Sequence, residues 1–409
     1  MNIGLLTHEP FYPPSGGGSS QAVYLVREMV RRGHAVHLFA PQAGDAAEVA
    51  RIAERFGITI HPFTAWPMGR TTPLRSLKYL AYPFFLERLV RRAAPGAKWD
   101  LLLAQHSIAA VAAGRLGRTG STRGCAVVLN LLDYLTGYFD SWPAYLAPPA
   151  LTARLKEFEL SLARRYRADG VFTISDELAE LVARTGYPRE RILPIYYGYD
   201  AELFQPTFRP ASTPLVVMHG SLDHHHLGAF AARALIEIHR RRPEARFRFV
   251  GARTAALRGL RRAVAGEIPE GLIEETGFVP YERVAERIHD ATVGIVPYAA
   301  SAGAHGTMVA KTVEYAAMGI PMVCTPLRGT MLYWAGNPLV RFSEMDPESF
   351  ADAVVGWFGE GLERREAWGR AASAQVRAEL AWEPFSRRVV ERLETILREK
   401  SRGERLAAL

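Results

Sequence analysis

The stretch KTVEYAAMGIPMVCT, residues 311–325, contains the pattern of a helix, a turn and a strand in immediate succession. Val313 and Ala316 lie on the apolar side of the helical part, which would pack on a sheet. Gly319 followed by Pro321 ends the helix, and the apolar run after them has the composition of a buried strand. The stretch therefore predicts one helix–strand unit of an α/β fold.

The same alternation of strand and helix extends over the whole chain. In the first half, strand patterns occur at residues 2–7, 36–40, 101–104, 127–131 and 170–174. In the second half, they occur at residues 215–219, 247–250, 294–297 and 321–325, and residues 276–280 read as a strand end with a turn. Helical patterns separate these strands, as is typical of parallel sheets covered on both faces. We predict two doubly wound, Rossmann-like α/β domains that face each other across a cleft.

The length of the chain also indicates two domains. A chain of 409 residues exceeds what a single hydrophobic core usually supports. A Pro/Thr/Ser-rich run interrupts the alternation and reads as a linker. We predict an N-terminal domain at residues 1–198, a linker at 199–214, a C-terminal domain at 215–381 and a final segment at 382–409.

Composition narrows the classes of protein that fit. The chain has no apolar run of about 18 residues and no N-terminal signal pattern, so we expect a cytoplasmic protein. Its two cysteines, Cys125 and Cys324, stand in apolar strand-like runs and read as packing residues. The net charge of +8 favours acidic partners.

Lys311 and Glu314 form a pair whose side chains are suited to bind a ligand. Three residues apart on a helix, they share one face. The glutamate can accept hydrogen bonds from a polyol while the lysine reaches a phosphate, a combination that suits a nucleotide sugar. The alternative is an ordinary surface ion pair.

A glycine-rich segment follows the first strand. We predict a loop at residues 15–20 and a helix at residues 21–32. The backbone of Gly16, Gly17 and Gly18 has no side chains, so it can approach a diphosphate at the N-terminal end of the helix. Many surface loops also contain three glycines, and this remains the alternative.

Several blocks of the sequence together resemble one known family. They are LLTHEP (5–10), PPSGGGSSQ (13–21), ISDELAELVARTGYPRERILPIYYGYDAELFQP (174–206), TGFVP (276–280) and EYAAMGIPMV (314–323). In this order they resemble the GT-B glycosyltransferases of retaining family 4 (glycosyl transferases group 1). The resemblance implies an acceptor-side N-terminal domain, a nucleotide-sugar-binding C-terminal domain, and a final helix at residues 382–400 that crosses back to the first domain.

The resemblance also implies an activity. Such enzymes move a sugar from a nucleotide-diphosphate sugar, here UDP first of all, to a hydroxyl of a glycan, lipid-linked glycan or natural product, often in polysaccharide biosynthesis. It places Gly17 and Gly18 near the donor phosphates. We expect no separate cofactor and no nucleic-acid partner.

The chain departs from the family pattern at the residues that bind the donor phosphates. The first glutamate of the usual E-x7-E pair falls on Gly306, and an expected Arg and Lys are replaced by Ser221 and His226. Lys311 would substitute for them. This arrangement is similar to that of the inverting glucuronosyltransferase of xanthan assembly, in which a lysine meets the diphosphate. Ser221 would line the donor site, and Tyr298 would stack or hydrogen-bond there. A strand-end tyrosine can also simply cover the core.

The reacting centre differs as well. Family 4 enzymes often carry a T-x-H-D pattern, whereas residues 130–133 here read NLLD, with Leu132 in place of the histidine. An inverting transfer needs a general base, for which Asp133 is the first candidate and His106 the second. Asp133 could instead cap a helix near Tyr134, and His106 could be a core histidine. A retaining family 4 transferase and a catalytically idle nucleotide-sugar-binding homologue are the alternatives to an inverting enzyme.

We also expect chemistry without a metal. No Asp-x-Asp occurs in the sequence, and the adjacent histidines of residues 224–226 are unsuited to converge on one ion. Lys311 and helix N-termini would offset the charge of the leaving group.

The basic and aromatic stretch at residues 70–92 suggests a further partner. It interleaves Arg and Lys with Leu, Tyr and Phe, so it could lie on an anionic membrane surface at the inner face of the membrane. The alternative is an amphipathic helix packed on its own domain.

Overall fold

The computed structural model describes residues 1–14, 17–41, 44–63, 77–93, 98–118, 124–141 and 147–407. The chain divides into two compact units. The first comprises Met1–Thr136, Pro149–Tyr196 and Glu383–Leu409, and the second comprises Gly137–Pro148 and Tyr197–Trp382.

The first unit is a parallel sheet with helices. Its elements are β1 (Asn2–Leu6), α1 (Gly17–Arg31), β2 (Ala35–Pro41), α2 (Ala46–Phe56), β3 (Thr59–Phe63), α3 (Leu77–Ala93), β4 (Leu101–Gln105), α4 (His106–Leu116), β5 (Ala126–Leu131), α5 (Pro149–Leu160), α6 (Leu162–Tyr166), β6 (Gly170–Thr173), α7 (Asp176–Ala183), β7 (Ile192–Pro194) and α16 (Trp382–Ala407). The seven strands lie in the order β3-β2-β1-β4-β5-β6-β7. Every residue of β4 and β5 is buried, as expected for central strands covered on both faces.

The second unit repeats the plan with six strands. Its elements are β8 (Leu215–His219), α8 (Ala229–Arg241), β9 (Arg246–Val250), α9 (Ala255–Val264), β10 (Ile273–Gly277), α10 (Val284–Ile288), β11 (Val293–Val296), α11 (Ala302–His305), α12 (Ala310–Ala317), β12 (Met322–Cys324), α13 (Arg328–Tyr333), β13 (Val340–Phe342), α14 (Pro347–Phe358) and α15 (Leu362–Leu380). The strand order is β10-β9-β8-β11-β12-β13, with all pairs parallel. The prediction of two Rossmann-like parallel-sheet domains is confirmed.

The helix–turn–strand unit of residues 311–325 forms as its sequence predicts. Helix α12 ends before Gly319, whose φ of +69° lies in the left-handed region that glycine adopts without strain. The Ile320 amide then donates to the Tyr315 carbonyl at 2.9 Å, which satisfies a carbonyl in the last turn. The chain is thereby redirected into β12.

One local prediction is wrong. Residues 15–20 were expected to be a loop, but α1 already begins at Gly17, within the glycine run. Buried amide side chains hold this first turn against the sheet: Gln105 Nε2 donates to the Gly18 carbonyl at 2.8 Å, and Asn130 Nδ2 donates to Gln21 Oε1 at 2.6 Å. Ser15 and Gly16 lie outside the described residues.

The C-terminal helix α16 packs with the first unit from Glu383 onward. Arg32 donates to Glu391 at 2.8 Å and to Glu394 at 3.2 Å. Farther along, Lys400 Nζ donates to Asp169 at 2.9 Å. Within the described residues, no helix is both long enough and apolar enough to cross a membrane.

Candidate functional site

Three neighbouring strands of the first unit end beside one another. Strands β1, β4 and β5 are adjacent and parallel, so their carboxyl ends share one edge of the sheet. Glu9 follows β1, His106 follows β4 directly, and Asp133 follows β5. Both predicted candidates for the general base therefore stand at the sheet edge where ligands of such folds bind.

His106 lies between the two carboxylates. Its Nε2 is 3.6 Å from Glu9 Oε2, and its Nδ1 is 3.9 Å from Asp133 Oδ2. The His106 side chain is 3% exposed, whereas Asp133 and Glu9 are 27% and 36% exposed. The backbone of His106 has a φ of +66°, which is uncommon for a residue with a side chain and often marks a functional position.

Gly18 makes this arrangement sterically feasible. A Cβ atom at Gly18 would lie 2.6 Å from Glu9 Oε2 and 2.8 Å from His106 Nε2, closer than non-bonded atoms approach. The first turn of α1 can pass next to the cluster only because Gly18 has no side chain. Gly17 is exposed at the start of the same helix. That these two glycines adjoin donor phosphates stays a prediction.

Asp133 has the protonation behaviour of a group that can exchange a proton near neutral pH. Burial raises the pKa of Asp133 to about 7, the charge of His106 opposes this shift, and the charges of Glu9 and Glu159 add to it. A base with a pKa near the working pH is the most effective for general catalysis. The remaining exposure of the carboxylate leaves it accessible to a ligand.

The alternative reading of Asp133 as a helix cap finds no support. The 3-10 helix Leu135–Ser141 follows it, but the amides of Leu135 and Thr136 donate to Glu159 at 3.1 and 2.7 Å. The Thr136 hydroxyl also donates to Glu159 at 2.6 Å. Glu159 thus satisfies the start of this helix, and burial raises its pKa as well.

A second cluster lies at the carboxyl end of the sheet in the second unit. Lys311, in the first turn of α12, is 7% exposed, and its Nζ donates to the Tyr298 hydroxyl at 2.6 Å. Burial lowers the pKa of Lys311 to about 8, while the charges of Glu314 and Asp223 oppose the shift. Its Nζ lies 3.5 Å from the position that a Cβ atom of Gly220 would occupy, just beyond the end of β8. A buried cation thus stands beside glycine backbone.

Glu314 pairs with a histidine rather than with Lys311. His219, the last residue of β8, forms a short hydrogen bond through its Nε2 with Glu314 Oε2. The Glu314 side chain is 14% exposed, and the His219 side chain is 3% exposed. The surface ion pair considered for Lys311 and Glu314 is therefore wrong. Both helix residues are held in place by partners at the carboxyl ends of strands β8 and β11, as a preformed binding site requires.

The histidine loop after β8 packs against the lysine cluster. His226 is buried, and its Nδ1 accepts from the Asp223 amide at 3.2 Å. The ring of His226 lies 4.1 Å from that of Tyr298, and burial, with the charge of Lys311, holds the pKa of His226 well below its usual range. Ser221 is exposed in the same loop. Among the described residues, no group of three His, Cys, Asp or Glu side chains is placed to hold a metal ion.

Sequence reasoning missed several members of these clusters. Glu9 and His219 both stand at the carboxyl end of a central strand, a signal that could have identified them. Tyr138 carried no such signal: its hydroxyl lies 3.0 Å from Thr307 Oγ1, and its ring fills the space above Gly303. Tyr138, Thr307 and Gly303 all belong to the second unit.

Two family models match the sequence. Glycosyltransferase Family 4 matches residues 15–203, and Glycosyl transferases group 1 matches residues 213–359. Together the two matches cover well over half of the chain. No curated protein matches the sequence.

Three solved structures illustrate the similarity of this fold to known glycosyltransferases. Sucrose-phosphate synthase from Thermosynechococcus elongatus is 14% identical, with a TM-score of 0.78, covering 97% of this chain and 99% of that chain. HepE from Anabaena, solved with UDP and glucose, is 16% identical, with a TM-score of 0.72, covering 96% and 99%. WaaG, a glycosyltransferase involved in lipopolysaccharide biosynthesis, is 14% identical, with a TM-score of 0.62, covering 94% and 96%. These similarities show the GT-B fold.

Proposed function

Because the chain belongs to the family 4 glycosyltransferases (glycosyl transferases group 1), we propose that it transfers a sugar from a nucleotide-diphosphate sugar to a hydroxyl acceptor. The observation that carries this proposal is the buried Lys311, fixed by Tyr298 beside the glycine turn after β8. A desolvated cation is costly unless it meets a negative charge, and a diphosphate supplies one. The acceptor is a glycan, a lipid-linked glycan or a natural product.

The donor nucleotide is UDP in this proposal. HepE from Anabaena has been solved with UDP, with UDP and glucose, and with UDP-glucose, which supports the assignment. Lys311 binds the diphosphate, Glu314 accepts hydrogen bonds from the ribose hydroxyls, and Tyr298 and Ser221 border the same site. The backbone of Gly17 and Gly18 lies near the donor phosphates.

The transfer inverts the anomeric carbon. Asp133 takes the proton of the acceptor hydroxyl while the hydroxyl oxygen attacks, and the bond to the diphosphate breaks on the opposite face. The raised pKa of Asp133 supports this role, because such a carboxylate is a stronger base than an ordinary one. Lys311 stabilises the charge that develops on the departing diphosphate, without a metal ion.

A donor-binding screen tests the proposal. We expect one of the UDP-, GDP-, dTDP- and ADP-sugars, most strongly a UDP-sugar, to raise the thermal unfolding midpoint, because a ligand that binds only the folded state stabilises it. The shift should be the same with and without EDTA. No shift with any of these donors contradicts the proposal, and a shift that EDTA abolishes and magnesium restores contradicts the metal-free part.

Glu314 provides a sharper test of donor binding. Glu314→Ala is expected to weaken nucleotide binding by about 1.5 to 3 kcal/mol, the range for hydrogen bonds to a charged group. Isothermal titration calorimetry with UDP measures the change. Glu286→Ala, which removes an exposed carboxylate of α10, serves as the control and should leave the affinity unchanged. Equal UDP affinities for wild type and Glu314→Ala would exclude the ribose contact.

Helix α3 is the proposed contact with an anionic membrane surface. Tyr82 and Leu86 are buried on one side of this helix, whereas Phe84 and Phe85 are 55% and 44% exposed. Arginines near its end, Arg88, Arg91 and Arg92, are also exposed, which suits anionic headgroups. Residues 70–76 of the predicted segment lie outside the described residues.

Vesicle binding tests this contact. We expect the protein to co-sediment with phosphatidylglycerol vesicles, and the double variant Phe84→Ser and Phe85→Ser to bind less, because it loses the apolar contact. Phe278→Ser is the matched control, since Phe278 is 73% exposed in the second unit. Wild-type protein that stays in the supernatant contradicts the membrane contact. The basic and aromatic segment is then explained as an amphipathic helix packed on its own domain.

A further inference from the structure

His106 lies between the proposed base Asp133 and a second carboxylate, Glu9. Its two ring nitrogens face different carboxylates, Asp133 on the Nδ1 side and Glu9 on the Nε2 side. An imidazole can accept a proton at one nitrogen and release a proton from the other. The three side chains are therefore arranged in sequence as carboxylate, imidazole and carboxylate, the order that a proton relay requires.

The exposure of these groups gives the path a direction. His106 is 3% exposed and cannot exchange protons with bulk water directly, whereas Glu9 is 36% exposed. Glu9 can therefore release to solvent a proton that His106 delivers. The separations of 3.6 and 3.9 Å are longer than hydrogen bonds, and catalytic contacts often shorten only when substrate binds.

Several side chains border the imidazole. The ring of His8 meets the ring of His106 edge-on, with centroids 4.8 Å apart. Gly18 and the side chain of Leu132 border the same space, because a Cβ atom at Gly18 would touch His106, Glu9 and Leu132. The charged or titratable groups that face Asp133 and His106 are thus His8, Glu9 and Glu159.

We propose that His106 and Glu9 form a proton relay that returns Asp133 to its basic form after each transfer. Asp133 takes the proton from the acceptor hydroxyl as the new glycosidic bond forms and the bond to the diphosphate breaks. Asp133 passes this proton to Nδ1 of His106, Nε2 of His106 gives its proton to Glu9, and Glu9 releases a proton to water. The imidazole then turns so that its N–H again faces Glu9, which restores the relay for the next transfer. The relay rests on the proposed function, and both residues act through Asp133 as positioning residues.

Removal and chemical rescue of Glu9 test the relay. We expect Glu9→Ala to lower kcat for consumption of the nucleotide sugar by at least about tenfold, less than the loss of the base itself would, while the KM for the donor stays unchanged. Added formate should restore part of the loss in Glu9→Ala and leave the wild type unaffected, since formate replaces the missing carboxylate. Glu48→Ala is the control: Glu48 is also 36% exposed but lies on α2.

The pH profile gives an independent readout. The charge of Glu9 contributes to the raised pKa of Asp133, so Glu9→Gln should move the acidic limb of the kcat/KM profile to lower pH. A purely space-filling Glu9 predicts an unchanged profile for this nearly isosteric variant. The relay is overturned if Glu9→Ala retains wild-type kcat, or if formate restores none of its loss. A wild type that consumes no nucleotide sugar removes the proposed function and the relay together, whereas a fully active Glu9→Ala removes the relay alone.

Discussion

Asp133→Asn is expected to lower the rate of sugar transfer by about 10²- to 10⁴-fold, the usual contribution of a positioned general base. The amide keeps the shape of the carboxylate but cannot take the proton of the acceptor hydroxyl. Donor binding should persist, because Asp133 acts on the acceptor. Steady-state kinetics of donor consumption measure the loss, with Asp352→Asn, an exposed carboxylate of α14, as the control.

The stability of the same variant has a predictable sign. The folded-state pKa of Asp133 is raised to about 7, so the folded protein binds this proton more tightly than the unfolded chain. The contribution of Asp133 to stability is therefore lost as pH rises toward 7, and at pH 8 the buried charge destabilises the fold. Asp133→Asn should thus unfold at the same or a higher temperature than wild type at pH 8. A near-normal rate for this variant, or a lower midpoint accompanying the lost rate, would contradict the assignment as a base.

Lys311→Met is expected to lower kcat by about 10²- to 10³-fold, the loss that follows removal of one group that stabilises transition-state charge. Methionine keeps an apolar stem against Tyr298 but carries no charge. The loss in kcat should exceed the loss in donor affinity, because the charge on the leaving diphosphate grows toward the transition state. Stopped-assay kinetics and UDP titration separate the two effects, with the exposed Lys98→Met as the control. A variant that changes only KM would exclude Lys311 from the chemical step.

The two assignments together predict a bell-shaped dependence of kcat/KM on pH. Asp133 must be deprotonated, so the rate rises through its pKa of about 7. Lys311 must be protonated, so the rate falls through its pKa of about 8. Lys311→Met should consequently lose the alkaline limb while keeping the acidic one.

The central strands of both sheets were predictable from the sequence, whereas three of the four edge strands were not, and only the end of the edge strand β10 was read. Buried strands such as β4 and β5 are continuous apolar runs with a strong signal. Strands β3, β7 and β13 escaped prediction, and each is the outermost strand of its sheet. Edge strands are half-exposed and short, so their composition does not differ clearly from that of a loop.

The candidate site could be predicted residue by residue but not as clusters. The helical spacing of Lys311 and Glu314 identified both residues, yet their partners come from elsewhere: Tyr298 follows β11, and His219 ends β8. The order of the strands determines which side chains meet at the end of a parallel sheet. Local sequence patterns do not predict this order. Likewise, the raised pKa of Asp133 follows from its burial, which only the packed structure defines.

The glycine run shows the same limit at a finer scale. Three successive glycines predict a loop, because glycine lowers helix stability. The structure instead starts α1 at Gly17, where buried Gln105 donates a hydrogen bond to the Gly18 carbonyl in the first turn. Tertiary packing, rather than helix propensity, determines where this helix begins.

Time-resolved proton NMR of donor consumption tests the proposed chemistry most directly. The wild-type protein is incubated with the α-linked nucleotide sugar that binds most tightly in the thermal screen, without acceptor, so that water takes the place of the acceptor hydroxyl. We expect the anomeric signal of the donor to decay and the β anomer of the free sugar to form first, before mutarotation mixes the anomers. A stable donor signal would contradict the glycosyltransferase activity, and initial formation of the α anomer would contradict inversion by Asp133.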